Sequence, residues 1–187
     1  SDTYGRFTRG VPPKSKGDWA FVLHMIETAK NQAGRVVVVV PHGVLFRGAA
    51  EGRIREQVLN ENLLDAVIGL PEKLFSTAAI PVALLVFDRR REKGGAWEDR
   101  KDVLFVDASK EFESGRNQNM LMPANIDRII ETVEARQAVE KFAHLATPEE
   151  IAENGYNLNI PRYVDTFEEE EEISRNRELK KQSLRLI

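Results

Sequence analysis

The sequence contains no cysteine, and this absence excludes two kinds of stabilising structure. A chain without cysteine forms no disulfide bond and offers no thiolate ligand to a metal ion. It also lacks any stretch near the roughly 18 consecutive apolar residues that a membrane-spanning helix needs, and it shows no signal-peptide pattern. These absences favour a protein that works in the cytoplasm.

The sequence also has no excess of positive charge and only three histidines. The formal net charge is −3, so no overall basic field indicates nucleic-acid binding. Any such binding would have to depend on local patches or on partner subunits. The three histidines, His24, His42 and His144, stand far apart without the spacing of metal ligands, and we predict no metal site.

The common catalytic motifs are also missing. The chain contains no GxSxG, no HExxH, no GxxxxGK[ST] phosphate loop and no GxGxxG loop after a strand. These gaps argue against a serine hydrolase, a zinc protease and a nucleoside triphosphatase. With 42% hydrophobic residues in a chain of 187, the sequence can still build a sizeable core.

Helix and strand patterns alternate along the first half of the chain. Apolar residues at helical spacing predict helices over about 19–30, with Asp18 as N-cap, and over about 50–63. Uninterrupted apolar runs predict four buried strands, at 35–41, 64–71, 81–89 and 102–109. The first, rich in valine, is expected to be central and covered on both faces. Because only about ten residues connect the second strand to the third, we expect the third to run antiparallel.

This alternation predicts an α/β fold, and the chain reads like the second half of a Rossmann-type domain. After about residue 110 the sequence becomes polar and irregular. We then predict a helix over 126–142 opened by Asn125, a short helix from the capping box at 147–150 and an extended segment at 156–164. The predicted division is a sheet domain at 1–110, a helical extension at 111–165 and a charged tail at 166–187, either helical or disordered.

Five segments resemble one protein family, and they occur in the same order as in that family. They read VPPKSKGDWAFVLHMI, GRVVVVVPHGVLFRGAAEGRIRE, ENLLDAVIGLPEKLF, LFVDASKEFESGRNQN and NGYNLNIPRYVDTFEEEE. Together they resemble the modification subunit of type I restriction–modification systems over about residues 4–173. That subunit is an N6-adenine DNA methyltransferase that uses S-adenosylmethionine.

The resemblance implies the C-terminal half of a Rossmann-like methyltransferase sheet with an antiparallel strand, followed by a C-terminal helical extension. In that family a glycine-rich loop binds the methyl donor and an Asn-Pro-Pro-aromatic motif holds the target amino group. Neither is present here. The chain has no glycine-rich loop after a strand, and Pro12-Pro13 follows Val11 in place of the asparagine and precedes Lys14 in place of the aromatic residue. The resemblance therefore implies a fragment that is inactive alone, with no catalytic residue of its own. Its implied partners are DNA, a specificity subunit and a restriction subunit.

The resemblance also assigns roles to individual residues. Phe75 matches the aromatic that stacks on the extruded target base, and its alternative is a loop aromatic folded over the core. Pro41 and His42 should line the same cleft, and the alternative for His42 is a purely structural turn. The chain departs from the family at Ala78-Ala79, where a glycine-containing turn is usual.

Asp18 and Trp19 match a segment near the adenine of the cofactor, and their alternative roles are an N-cap and a core anchor. A set of basic residues could contact DNA phosphates: Lys14, Lys16, Arg47, Arg53 and Arg89–Arg91. The rival function is a non-catalytic assembly module that docks the specificity and restriction subunits.

Overall fold

A five-stranded mixed sheet organises the computed structural model, which describes residues 2–76 and 79–165. The strands in chain order are β1 (Arg35–Pro41), β2 (Leu64–Gly69), β3 (Val82–Asp88), β4 (Val103–Asp107), β5 (Glu113–Ser114), β6 (Asn119–Met120) and β7 (Ala143–Ala146). The main sheet has the order β1-β3-β2-β4-β7, while β5 and β6 form a separate hairpin. Strand β3 runs antiparallel to both of its neighbours, as the short connection predicts, and β2 and β4 are parallel.

The helices cover the two faces of this sheet unequally. They are α1 (Asp18–Thr28), α2 (Gly43–Phe46), α3 (Ala49–Asn60), α4 (Pro123–Ala135) and α5 (Pro148–Glu153). Apolar residues of α1, α2, α3 and α5 form one core against the sheet. On the opposite face α4 contributes Ile129 to a second, smaller core. The α/β fold class is thus confirmed.

Strand β1 differs from its prediction. It lies at the edge of the described sheet, and its valines alternate between a covered face and an open one, with Val37 58% exposed. The valine run does not distinguish a strand covered on both faces from an edge strand, because both favour β-branched residues. Beside it, Val39, Ile126 and Ile130 are also exposed, so part of this sheet face is apolar and open in the described chain.

The region after residue 110 also differs from its prediction. Helix α4 begins at Pro123, whose ring pre-sets the first helical position, and the Asn125 side chain accepts a hydrogen bond from the Met122 amide at 3.0 Å. The helix ends before Arg136, which is left-handed with a φ of 52°. The predicted continuation to 142 is therefore wrong, and the chain instead turns back to form β7 against β4.

The short helix α5 is as predicted, with Thr147 accepting a hydrogen bond from the Glu150 amide at 3.3 Å and Gly155 left-handed just beyond its end. The segment 156–164 is not fully extended, because a 3-10 turn forms at Ile160–Arg162. The predictions for the tail at 166–187 lie outside the described residues.

Candidate functional site

The carboxyl ends of β1, β2 and β4 meet at one edge of the sheet. Strand β3 is antiparallel to β1 and β2, so these two run the same way, and β4 is parallel to β2. Connections leaving these ends therefore converge, which is where an α/β sheet binds its ligand. They include His42 after β1, residues 70–76 after β2, and Asp107 at the end of β4. We call residues 70–76 the Phe75 loop.

Two leucines anchor the Phe75 loop while its aromatic ring stays accessible. Leu70 is buried in the smaller core and Leu74 packs against it. Phe75 belongs to neither core cluster of the described residues, and it is 47% exposed. The loop also bends at Lys73, which is left-handed with a φ of 56°. A large ring is thus presented outward from a loop whose base is fixed.

His42 links the end of β1 to the start of β3. Its Nε2 lies 3.2 Å from the carbonyl oxygen of Val82, and Pro41 stands opposite Val82 in the strand register. Because a carbonyl oxygen can only accept, this contact requires the proton on Nε2 and leaves Nδ1 of the neutral ring as an acceptor. The ring is only partly buried, so it combines a structural contact with access to the edge.

A buried arginine fixes the short helix α2 that follows His42. Arg55 of α3 donates to the carbonyl oxygens of Val44 at 3.3 Å, Arg47 at 2.6 Å and Tyr156 at 3.1 Å. Burial lowers the pKa of the Arg55 guanidinium. The sequence analysis did not single out this residue. Its i+4 spacing from Glu51, which is also buried, is the signal that could have indicated an inward-facing polar row.

The segment 156–164 contacts α2, β2 and β4. The amide of Leu158 donates to the carbonyl of Leu45 in α2 at 2.9 Å. Ile160 lies against Gly69 at the end of β2, where an added Cβ would come within 2.6 Å of Ile160 Cδ1. Tyr163 stacks on Phe105 of β4 with ring centroids 3.8 Å apart. Burial, with the nearby Glu150, raises the pKa of Tyr163 to about 12.

Asp18 and Trp19 occupy different environments although they are neighbours. Asp18 is the first residue of α1, while Gly17 stands at the N-cap position, so the predicted capping role is wrong. Its carboxylate pairs with Arg47, whose pKa is raised by a hydrogen bond to Glu51 and by the contact with Asp18. Trp19 is 1% exposed within the main core, and its Nε1 has no acceptor among the described residues.

Three of the basic residues suggested for phosphate contact have structural roles instead. Arg89 donates to the Ile26 and Ala29 carbonyls at the end of α1, each at 3.0 Å. Arg91 is fully buried and pairs with Asp65 at 2.5 Å. Arg90 pairs with Asp88 and lies over Trp97, with its Cζ 3.5 Å from a ring centroid.

These arginines follow β3, so they lie at the edge opposite to the Phe75 loop. Arg47 is also engaged in ion pairs. By contrast, Lys14, Lys16 and Arg53 are exposed.

The described ranges contain no cluster of three or more histidine, aspartate or glutamate side chains that could hold a metal ion. Nor does any helix within them have the length and apolarity to cross a membrane.

Comparison with known proteins identifies the family of the chain. The family model described as N-6 DNA Methylase matches residues 1–172. The chain belongs to the N-6 DNA methylase family. Among its relatives in that family is the type I restriction enzyme MjaVII methylase subunit of Methanocaldococcus jannaschii, 38% identical over 94% of this chain and 30% of that subunit. The MpnII methylase subunit of Mycoplasma pneumoniae is 34% identical over 87% of this chain and 29% of its own length.

A solved structure of a type I subunit is also similar to this chain in its fold. The type I restriction–modification methyltransferase subunit of Streptococcus thermophilus is 46% identical, with a TM-score of 0.80 over 88% of this chain and 34% of that one. The resemblance to type I modification subunits is therefore confirmed. The chain spans about a third of the length of these relatives.

Proposed function

We propose that this chain is the base-binding part of a type I modification subunit that transfers a methyl group to adenine N6 in DNA. The observation that carries the proposal is the exposed ring of Phe75 at the carboxyl edge of the sheet. An enzyme that modifies a base must extrude it from the duplex, and extruded bases are commonly held by stacking on aromatic side chains. Phe75, on a loop fixed by Leu70 and Leu74, is suited to this task.

Pro41 and His42 would form the wall beside the stacked base. With the Nε2 proton committed to the Val82 carbonyl, Nδ1 of a neutral His42 offers an acceptor to a donor group such as an exocyclic amine. Arg55 supports this wall, because it holds the helical turn that begins just after His42.

The cofactor proposed for the complete subunit is S-adenosylmethionine, which supplies an activated methyl group when bound. The described residues fit it only at the start of α1. Asp18 is partly exposed there and could accept a hydrogen bond from the ligand, while Trp19 is buried and could only support its neighbour. The glycine-rich donor loop and the Asn-Pro-Pro-aromatic motif are absent from these 187 residues. We therefore propose that the chain alone neither binds the cofactor tightly nor methylates DNA.

The proposed partners follow from the relatives. The relatives from M. jannaschii and M. pneumoniae are named as methylase subunits of type I restriction enzymes. We propose that this subunit acts on DNA together with a specificity subunit, which chooses the sequence, and a restriction subunit. None of the described α-helices carries more basic than acidic residues, so none has the composition of a basic recognition helix that would choose a sequence by itself.

The experiment is to express the complete subunit with its specificity partner in a bacterial host that lacks adenine methylation. Sequencing that detects N6-methyladenine in host DNA should reveal one methylated motif, and the 187-residue chain expressed alone should reveal none. Unmethylated DNA from a properly folded complete complex would contradict the proposal. Micromolar binding of S-adenosylmethionine to the 187 residues in calorimetry would contradict the assignment of the donor site to another part of the subunit.

The rival function is a non-catalytic module that docks specificity and restriction subunits. The observation that favours it is the open apolar face formed by Val37, Val39, Ile126 and Ile130, since exposed apolar patches commonly mark interaction surfaces. A complete subunit that assembles with its partners but leaves adenine unmethylated would support this alternative. Methylation that is lost with Phe75 while assembly persists would exclude it.

A further inference from the structure

The hairpin of β5 and β6 lies against the Phe75 loop. Its residue Asn119 makes two hydrogen bonds to that loop. The backbone amide donates to the carbonyl of Lys73 at 2.9 Å, and the side-chain Nδ2 donates to the carbonyl of Glu72, also at 2.9 Å. One residue thus holds two consecutive carbonyl groups just before Phe75.

This double contact depends on the bend at Lys73. Successive carbonyl groups of an extended chain point in opposite directions, whereas a helical conformation of either hand points them the same way. Lys73 has a φ of 56°, in the left-handed region that a residue with a side chain rarely adopts. The bend turns the Glu72 and Lys73 carbonyls toward Asn119, and the contact stabilises the bend in return.

The hairpin is itself firmly attached to the rest of the fold. Ser114 pairs with Asn119 across it, and the Gly115 amide donates to Gln118 at 3.0 Å to close its turn. A side chain at Gly115 would collide with the Gln118 carbonyl, 2.5 Å from an added Cβ. Leu121, directly after β6, packs against the smaller core.

The other end of the hairpin is tied to helix α4. Glu111 accepts a hydrogen bond from Asn125 Nδ2 at 3.1 Å and forms an ion pair with Arg128. Asn125 and Arg128 both belong to α4, which covers the smaller core. The hairpin is therefore anchored on both sides, and its position is set by the sheet and by α4.

We propose that the hairpin at 113–120 holds the Phe75 loop in the conformation that captures the base, with Asn119 as the positioning residue. This inference rests on the proposed function, because it assigns a role within the same reaction. Asn119 itself does not touch the base. It acts through the backbone of Glu72 and Lys73, which carries Phe75.

The test uses the complete subunit with its specificity partner and the substitution Asn119→Asp. This change keeps the shape of the side chain and the backbone hydrogen bond, but it replaces the Nδ2 donor with an oxygen that repels the Glu72 carbonyl. Asn119→Ala removes the donor without adding charge. The matched control is Asn117→Asp, which makes the same charge change two residues away on an exposed side chain with no hydrogen bond to the described residues.

The substrate is a duplex carrying the motif mapped by sequencing, with 2-aminopurine in place of the target adenine for the fluorescence assay. Loss of one net hydrogen bond should reduce the flipped-base fluorescence and kcat by about 2- to 13-fold. The KM for DNA should change by less than about twofold, because phosphate contacts dominate DNA affinity. Hydrogen exchange of the Phe75 loop should become faster in both Asn119 variants and stay unchanged in Asn117→Asp.

Unchanged fluorescence, kcat and loop exchange in both Asn119 variants would overturn the inference while leaving the proposed function intact. A global loss of protection or a large fall in Tm would also overturn it, because Asn119 would then be a general structural residue. If the wild-type complex leaves adenine unmethylated, the proposed function fails. The exchange measurement then decides separately whether Asn119 holds the loop, and unchanged exchange would overturn that part as well.

Discussion

Replacing the buried Arg55 with methionine should destabilise the fold and loosen the turn after His42. Arg55 is 3% exposed and donates to three carbonyl oxygens that no other described side chain serves in this way. A hydrogen bond to a charged donor contributes about 1.5–3 kcal/mol, and leaving a buried acceptor unpaired costs a similar amount. The desolvation that lowers the Arg55 pKa offsets part of this gain. We therefore expect a net loss of about 2–4 kcal/mol.

Urea unfolding of the 187-residue chain, followed by tryptophan fluorescence, measures this loss, since Trp19 is buried in the native core. The midpoint for Arg55→Met should fall by about 1–2 M. Arg53→Met is the matched control, because Arg53 lies on the same helix but is exposed, and its substitution should change stability by no more than about 0.5 kcal/mol. Equal effects of the two substitutions would refute the argument that the three carbonyl contacts stabilise the fold.

Two further predictions concern the segment 156–164 and its contact with the sheet. Because the pKa of Tyr163 is raised to about 12 from an ordinary 10.0, its contribution is complete below pH 10 and is lost as pH rises through 12. Chemical denaturation should show roughly 2–3 kcal/mol of extra alkaline destabilisation relative to Tyr163→Phe, and parallel pH profiles would contradict it. Gly69→Ala should cost about 1–3 kcal/mol by crowding Ile160. In an Ile160→Ala background the cost should shrink, and a double-mutant cycle with no coupling would contradict the crowding.

The sequence predicted the strands of the sheet well because their apolar runs are continuous. The runs at 35–41 and 64–71 correspond to Arg35–Pro41 and Leu64–Gly69, and the antiparallel course of β3 followed from the short loop before it. By contrast, the short strand Ala143–Ala146 has little pattern of its own. It forms because β4 offers an edge, which is information that local sequence does not carry.

Arginines were the main source of error at the level of single residues. The run Arg89–Arg91 was suggested for contact with DNA phosphates, yet two of its side chains are buried by groups that come from distant parts of the chain. The same limit applies to Asn119, whose contacts with Glu72 and Lys73 join segments more than 40 residues apart. Phe75 could be selected from sequence only because it stood on a turn and matched a family position. Its role in base binding stays a prediction.

The most direct test of that role is the methylation rate of Phe75→Ala in the complete subunit with its specificity partner. Base–aromatic stacking contributes roughly 1–3 kcal/mol, so capture of the flipped base should weaken by about 5- to 150-fold. The Kd for S-adenosylmethionine should be nearly unchanged, since the glycine-rich donor loop is absent from these 187 residues. The Tm should also be nearly unchanged, since Phe75 belongs to neither core cluster of the described chain. Phe75→Trp should retain much of the activity. A Phe75→Ala enzyme with full activity and reduced stability would show instead that the ring only covers the core.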